Sequence, residues 1–277
     1  MKLRTNLHIA SATDKGTVRN FNEDSIAVNE EIGLLVLADG MGGYKAGNVA
    51  SNMATSHLVE ELKTKLGNGA GNGRNADSYT DPVLAVKAAL EQTNQIIYRS
   101  AKLEEKYQGM GTTIVLMLFY GSRAIVAHVG DSRLYRWRNE YFELLTYDHS
   151  LLQEQVALGM IAFADARYSH NRNLVTRALG TEANIDIDIR EIDVLPGDLY
   201  LLCSDGLNDM VDDYNIELAM NELQANLPLM ANQLVQMAND NGGHDNISVI
   251  LAKVPAEKAS RWAFGNRFLN WLKRIGR

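Results

Sequence analysis

The chain has almost none of the covalent or membrane devices that hold a protein together from outside its core. One of its 277 residues is a cysteine, Cys203, so no intrachain disulfide can form, which fits a reducing compartment. Cys203 lies within an apolar run and reads as a packed thiol, not a nucleophile. No segment reaches the roughly 18 uninterrupted apolar residues of a membrane span. The first residues, MKLRTNLHIASATD, lack the apolar stretch of a secretory leader, and a cytoplasmic chain is expected. No internal repeat is visible, and no interdomain linker precedes Pro255. His8, His57, His128, His170 and His244 read as packing or surface residues, and none has metal-ligand spacing with another.

Positive charge is also scarce outside one segment. The formal charge is −7, yet from Ala256 onward six basic residues stand against one acid, Glu257. That surplus of five leaves −12 on the rest of the chain. An acidic body disfavours nucleic acid as a partner, because phosphate backbones reward basic surfaces. Apolar residues make up 46% of the chain and charged ones 22%, enough for a sizeable core. The reading is one domain over 1–254 followed by a basic tail over 255–277.

Four apolar runs adjoin an aspartate: Asp39 follows LLVLA, Asp131 follows AIVAHVG, Asp205 follows LYLLCS, and Asp245 precedes NISVIL. Such runs read as buried strands, which puts each acid at the rim of a sheet. Carboxylates brought together there repel, and the remedies are protonation or a divalent cation. With no cysteine or paired histidine beside them, the cation should be oxygen-seeking, Mg2+ or Mn2+.

The remaining pattern interleaves strands and helices without strict alternation. HIASATD leads to a turn at Lys15-Gly16, a second strand follows, and then the run to Asp39. Val49, Met53, Leu58, Leu62 and Leu66 predict a helix, and the Gly- and Asn-rich segment 67–81 a mobile loop. Asp81 and Pro82 open a second helix as N-cap and first residue. GTTIVLMLFY, SRAIVAHVGD and SRLYRWRN predict a three-stranded meander, and 213–236 one helical stretch. Residues 149–177 carry weak pattern, with a short helix and an irregular segment. The expected class is α+β, with mainly antiparallel sheets and helices outside them.

Seven motifs occur in order: RNFNED (19–24), DGMGG (39–43), GTT (111–113), GDSR (130–133), TRALG (176–180), SDG (204–206) and DN (245–246). Together, from about Thr5 to Val254, they resemble the metal-dependent type 2C serine/threonine protein phosphatases in their bacterial form. That resemblance implies a four-layer αββα sandwich of two antiparallel sheets with a metal centre at one end. It implies that Asp39 bridges two ions, that the Gly40 carbonyl completes one, and that Asp205 and Asp245 hold the other. Glu23 and Asp24 would act through bound waters. Asp131, with Asp205, would support a weaker third ion. Arg19 would grip the substrate phosphate, for which its planar fork is suited, and Asn246 would orient its neighbours. Some members carry a histidine after Asp-Gly as general acid; here Met41 stands there and donates no proton. His149 is a candidate substitute.

The implied function is hydrolysis of phosphoserine and phosphothreonine on proteins with Mn2+ or Mg2+, by a monomer that opposes a bacterial Ser/Thr kinase. Two alternatives stand beside it. A non-catalytic phosphoprotein-binding module would be expected to have lost Asp39, Asp205 or Asp245, and all three are present. A phosphatase of a partner-switching pathway would share the chemistry and change the substrate. By the same resemblance, 150–172 is a flap beside the site; its residues read as a movable surface that touches substrate or, equally, as a tolerated insertion. In the tail, Phe264, Phe268, Trp271, Leu272 and Ile275 fall at helical spacing among basic residues. This reads as a surface for a membrane, a partner, or the chain's own acidic body.

Overall fold

The computed structural model describes residues 7–43, 46–67, 81–161 and 174–256. The predicted loop at 67–81, most of the flap and the basic tail therefore lie outside the described residues.

Among the described residues, eleven strands form two sheets in which every pairing is antiparallel. One sheet has the order β1-β11-β10-β7-β8 (His8–Asp14, Ile247–Lys253, Leu199–Cys203, Arg133–Arg138, Tyr141–Leu144). The other has the order β2-β3-β5-β6-β9 (Asp24–Asn29, Leu34–Met41, Ile114–Tyr120, Arg123–Val129, Asp188–Asp193), with β4 (Gly111–Thr112) pairing the end of β3. The long apolar runs have a layered explanation. On β3, Leu35 and Leu37 face the other sheet, while Leu34, Val36 and Ala38 pack beneath helices α1 (Ala46–Gly67) and α2 (Pro82–Leu103). A strand covered on both faces cannot alternate polar with apolar residues. Two short helices, α3 (Leu151–Ala157) and α4 (Asp205–Asn208), follow β8 and β10, and on the far side α5 (Asp213–Leu223) and α6 (Leu227–Asp240) cover β10 and β11 through Ile216, Met220, Met230 and Leu234. This is the four-layer α+β sandwich that the motifs imply. Cys203 is fully buried in the same layer, and burial pushes its thiol pKa up, as suits an inert core residue.

Asp81 does cap α2, its carboxylate accepting from Val83 N at 2.9 Å, with Pro82 as the first residue. Three expectations are corrected. GTTIVLMLFY is two strands, because Thr113 leaves the ladder to bond Asp39 through its backbone N–H (2.8 Å). The three-stranded meander does not form. β5 and β6 pair, but β7 lies in the other sheet, and the chain crosses at Gly130, whose φ of +105° suits glycine. The stretch 213–236 breaks between α5 and α6, where Asn226 caps a new helix and Pro228 occupies its first turn. Two strands escaped the sequence reading, β8 and β9; β9 is an edge strand whose charged residues, Asp188, Arg190, Glu191 and Asp193, hide its periodicity.

Candidate metal centre

The aspartates reach one end of the sandwich by strand parity and by turns. Asp39 is two residues beyond Leu37 on β3 and so falls on the intersheet side. Asp24 stands directly across from it in the β2–β3 ladder, an arrangement of like charges that destabilises a sheet unless something neutralises it. Asp131 follows β6 through Gly130. Asp205 begins the short helix α4 (Asp205–Asn208) just after β10, and Asp245 precedes β11.

Their electrostatics bind these five acids into one cluster. Burial first, then the charges of Asp24, Asp205, Asp131 and Asp245, push Asp39 well above the usual carboxylate range. Asp205 is pushed up likewise by burial and by Asp131, Asp209, Asp245 and Asp24. Burial dominates in raising Asp24 to about 6. Asp131 is raised to about 7 by burial, with Asp148 the next cause. Oδ1 of Asp24 and Oδ1 of Asp205 are buried without a hydrogen-bond partner. A buried, unsatisfied carboxylate oxygen is costly, and a cation is the partner that removes the cost. An all-oxygen donor set of this kind fits Mg2+ or Mn2+.

The surrounding backbone is built for close approach. Gly40 packs against Gly47 at the start of α1: a Cβ on Gly40 would fall 2.1 Å from Gly47 O and 2.7 Å from Glu23 O. Gly40 N–H donates to Glu23 O at 3.2 Å, and the Glu23 carboxylate accepts from Asn48 N at 3.3 Å. Asn246 joins the loops. Its Oδ1 accepts from Glu23 N (2.8 Å), while its Nδ2 donates to Lys15 O (3.0 Å) and Phe21 O (2.9 Å). Arg19 lies at the rim with its side chain 52% exposed, Nη2 donating to Asp245 Oδ2 at 2.6 Å. About half of this side chain is thus open to solvent at the rim. Met41 ends β3 opposite Gly111.

Sequence reasoning missed several supports. Thr113 Oγ1 accepts from Asp39 N (3.0 Å) and meets Ser132 Oγ (2.7 Å), tying the Asp39 turn to the Asp131 turn. Ser204 Oγ donates to Asp24 Oδ2 at 2.8 Å. Both sit inside motifs, GTT and SDG, whose hydroxyls signal nothing until the fold is known. Gly47 gave no signal, being one glycine in a helical pattern. Asp209 carries no motif signal in the sequence, yet its charge acts on both Asp131 and Asp205. Asp148 is the partner of Arg133, through Nε (3.0 Å) and Nη2 (2.7 Å). Arg133 does not pair with Asp131.

His128 and His149, which have no metal-ligand spacing in sequence, are brought with Asp188 into a cluster whose ligand atoms lie within 4.8 Å of one another. It is poorly suited to an ion. His149 Nδ1 accepts from Gly130 N at 3.1 Å, which puts the ring proton on Nε2, the nitrogen that faces Asp188 Oδ2 at 3.4 Å. Arg177 Nη1 already lies 3.4 Å from that nitrogen and 3.5 Å from Asp188.

Comparison with known proteins adds the following. The family profile described as protein phosphatase 2C matches residues 15–251. The serine/threonine phosphatase stp of Listeria innocua is 34% identical over 250 residues, covering 89% of this chain and 96% of that protein. The crystal structure of serine/threonine phosphatase Stp1 from Staphylococcus aureus superposes with a TM-score of 0.80 at 34% identity, covering 92% of this chain and 98% of that one. The catalytic domain of serine threonine protein phosphatase PstP, solved in complex with two manganese ions, gives a TM-score of 0.76 at 33% identity, over 90% of this chain and 98% of that one.

Proposed function

The chain belongs to the protein phosphatase 2C family, and from that membership we propose that Asp39, Gly40, Asp205 and Asp245 hold the divalent cations of a serine/threonine protein phosphatase. The activity itself, metal-dependent removal of phosphate from serine and threonine on proteins, follows from the named relatives. The observation that carries the residue assignment is the convergence of five aspartates with two buried oxygens unsatisfied, Asp205 Oδ1 among them. Bound Mn2+ or Mg2+ would supply neutralisation of the phosphoryl oxygens and a lowered pKa for attacking water.

The chain's own residues divide the remaining work. Asp39, on which all four other aspartates act, would take the bridging role. Asp205 and Asp245 would hold one ion, and the Gly40 carbonyl would contribute to the other. Asp131, whose charge acts on Asp205, would serve a weaker third position. Glu23 and Asp24 position from behind, and Asn246 fixes the 15–23 loop against Asp245. Arg19 turns from Asp245 to the substrate phosphate, where two parallel N–H donors match two oxygens. No protein nucleophile is needed. The substrates are phosphoproteins, and the opposing enzyme is a Ser/Thr kinase; the protein acts as a monomer.

Phosphate release from phosphothreonine peptides with Mn2+, with and without chelator, tests this reading beside Asp205→Asn. Undiminished turnover in that variant, or activity that survives chelation, contradicts the metal mechanism. Phosphopeptide binding without turnover would instead establish a non-catalytic module.

Among the described residues no helix is long and apolar enough to cross a membrane. The basic aromatic tail after residue 255 favours peripheral attachment to an anionic surface, each basic residue adding about 1 kcal/mol. Equal flotation of the full chain and of a chain ending at Val254 on anionic vesicles would sink that attachment.

A further inference from the structure

His149 read from sequence as a candidate proton donor, but neither ring nitrogen is available for that work. Nδ1 accepts from Gly130 N–H, and Nε2–H points to Asp188. The largest charge effects on this ring come from His128, Arg177 and Asp188. The side chain is 4% exposed and stacks on His128, ring centroids 4.7 Å apart and 20° from parallel. His128 is held in turn by Tyr147 O, 2.9 Å from its Nε2.

What His149 does hold is one glycine, from two sides. Its backbone N–H donates to Gly130 O at 3.0 Å while its ring accepts from Gly130 N at 3.1 Å. Gly130 is the residue before Asp131 and has little room to shift. A Cβ there would fall 2.6 Å from Thr113 Cγ2, and Thr113 is itself bonded to Asp39. The same residue begins a short pairing of 149–151 with 174–176. Thr176 N donates to His149 O (2.8 Å), Ser150 bridges Val175, and Leu151 N donates to Leu174 O (2.9 Å).

We propose that His149 is a positioning residue, whose Nδ1 sets the Gly130–Asp131 peptide and thereby the affinity of the cation position that Asp131 serves. The proposal rests on the cation-binding role of Asp131 given above. One side chain then links the metal centre to the two chain segments, 149–151 and 174–176, that pair beside it. Partners that orient a ligand typically change metal affinity by about 10–100-fold when removed.

The test uses two substitutions that divide the imidazole. His149→Asn keeps an acceptor near the position of Nδ1, and His149→Gln places its amide at the position of Nε2. Mn2+ titrated calorimetrically into metal-free protein should show the weakest site weakened about tenfold in His149→Gln, with His149→Asn within about twofold of wild type. Amide exchange at Gly130 in metal-free protein should accelerate in the Gln variant and not in the Asn variant. Equal behaviour of the two variants, or no change in either, overturns the proposal. Should His149→Gln fail to fold, Asp188→Ala takes its place. Loss of the Nε2–H acceptor should then weaken the same site by up to about tenfold and loosen Gly130, and wild-type values would overturn the proposal. Asp131→Asn separates the two failures. If it leaves Mn2+ binding intact, the role of Asp131 is wrong; if it weakens binding while His149→Gln does not, the role of His149 is wrong.

Discussion

Replacing Asp131 by asparagine should stabilise the metal-free protein at neutral pH and leave it almost unchanged in acid. Asp131 is 7% exposed, and burial together with Asp148 raises its carboxyl from 3.8 to about 7. In the folded chain it keeps its proton over a window in which the unfolded chain has lost it. Folding therefore takes up a proton there, and stability falls as pH rises from about 4 to about 7. A shift from 3.8 to about 7 costs about 4 kcal/mol once the group is ionised. Asparagine is uncharged at every pH and matches the protonated acid in shape, so Asp131→Asn should escape this loss. For a chain of this size, about 4 kcal/mol corresponds to about 10 °C in Tm. His128 and His149 act in the opposite sense: burial lowers their pKa values, so they add stability as pH rises. The difference between variant and wild type cancels that background. Thermal melting in chelator from about pH 4 to about pH 8 should show the two curves meeting at the acid end and separating toward neutrality. Saturating Mn2+ should then raise the wild type more than the variant. A difference that stays flat across this range in chelator would refute the idea of a buried, uncompensated carboxylate.

Three further outcomes follow from single contacts. Arg19→Ala removes an ion pair that is half in solvent, so melting should move by less than about 1 kcal/mol. Turnover of a phosphothreonine peptide should nonetheless fall about 10–100-fold, the worth of a charge-assisted phosphate contact; an unchanged kcat/KM would remove Arg19 from the site. Gly40→Ala would drive a Cβ to 2.1 Å from Gly47 O, and backbone cannot yield as a flexible side chain does. A loss of about 1–3 kcal/mol in urea unfolding, with weaker Mn2+ binding, is expected there. Thr113→Val leaves Asp39 N–H without its acceptor and Ser132 without its partner. It should cost about 1–3 kcal/mol by denaturant titration, whereas Thr112→Val, which gives up a hydroxyl donating to Asp39 O, leaves a carbonyl still bonded to Thr113 N and should cost less.

The local pattern of the chain already determines most of the strands, though not β8 and β9, because runs such as LLVLA and LYLLCS bury both faces and end beside an acid. It determines the α+β class and the start of α2 at Asp81, whose side chain caps the first turn. It also supplies the hard-cation chemistry, since carboxylates without thiols or paired imidazoles leave little else. What periodicity cannot carry is which strands become neighbours. Gly130 sends β7 to the opposite sheet, and the β2–β3 register sets Asp24 against Asp39. Gly40 meets Gly47 across a turn, and His149 reaches back nineteen residues to Gly130. Each of these depends on a contact between distant segments, formed only when the sheets pack. A side chain's type is a property of the chain. Whether an aspartate is a turn residue or one of five repelling neighbours is a property of the packed sandwich, because desolvation and Coulomb repulsion exist only once the sheets have brought the charges together.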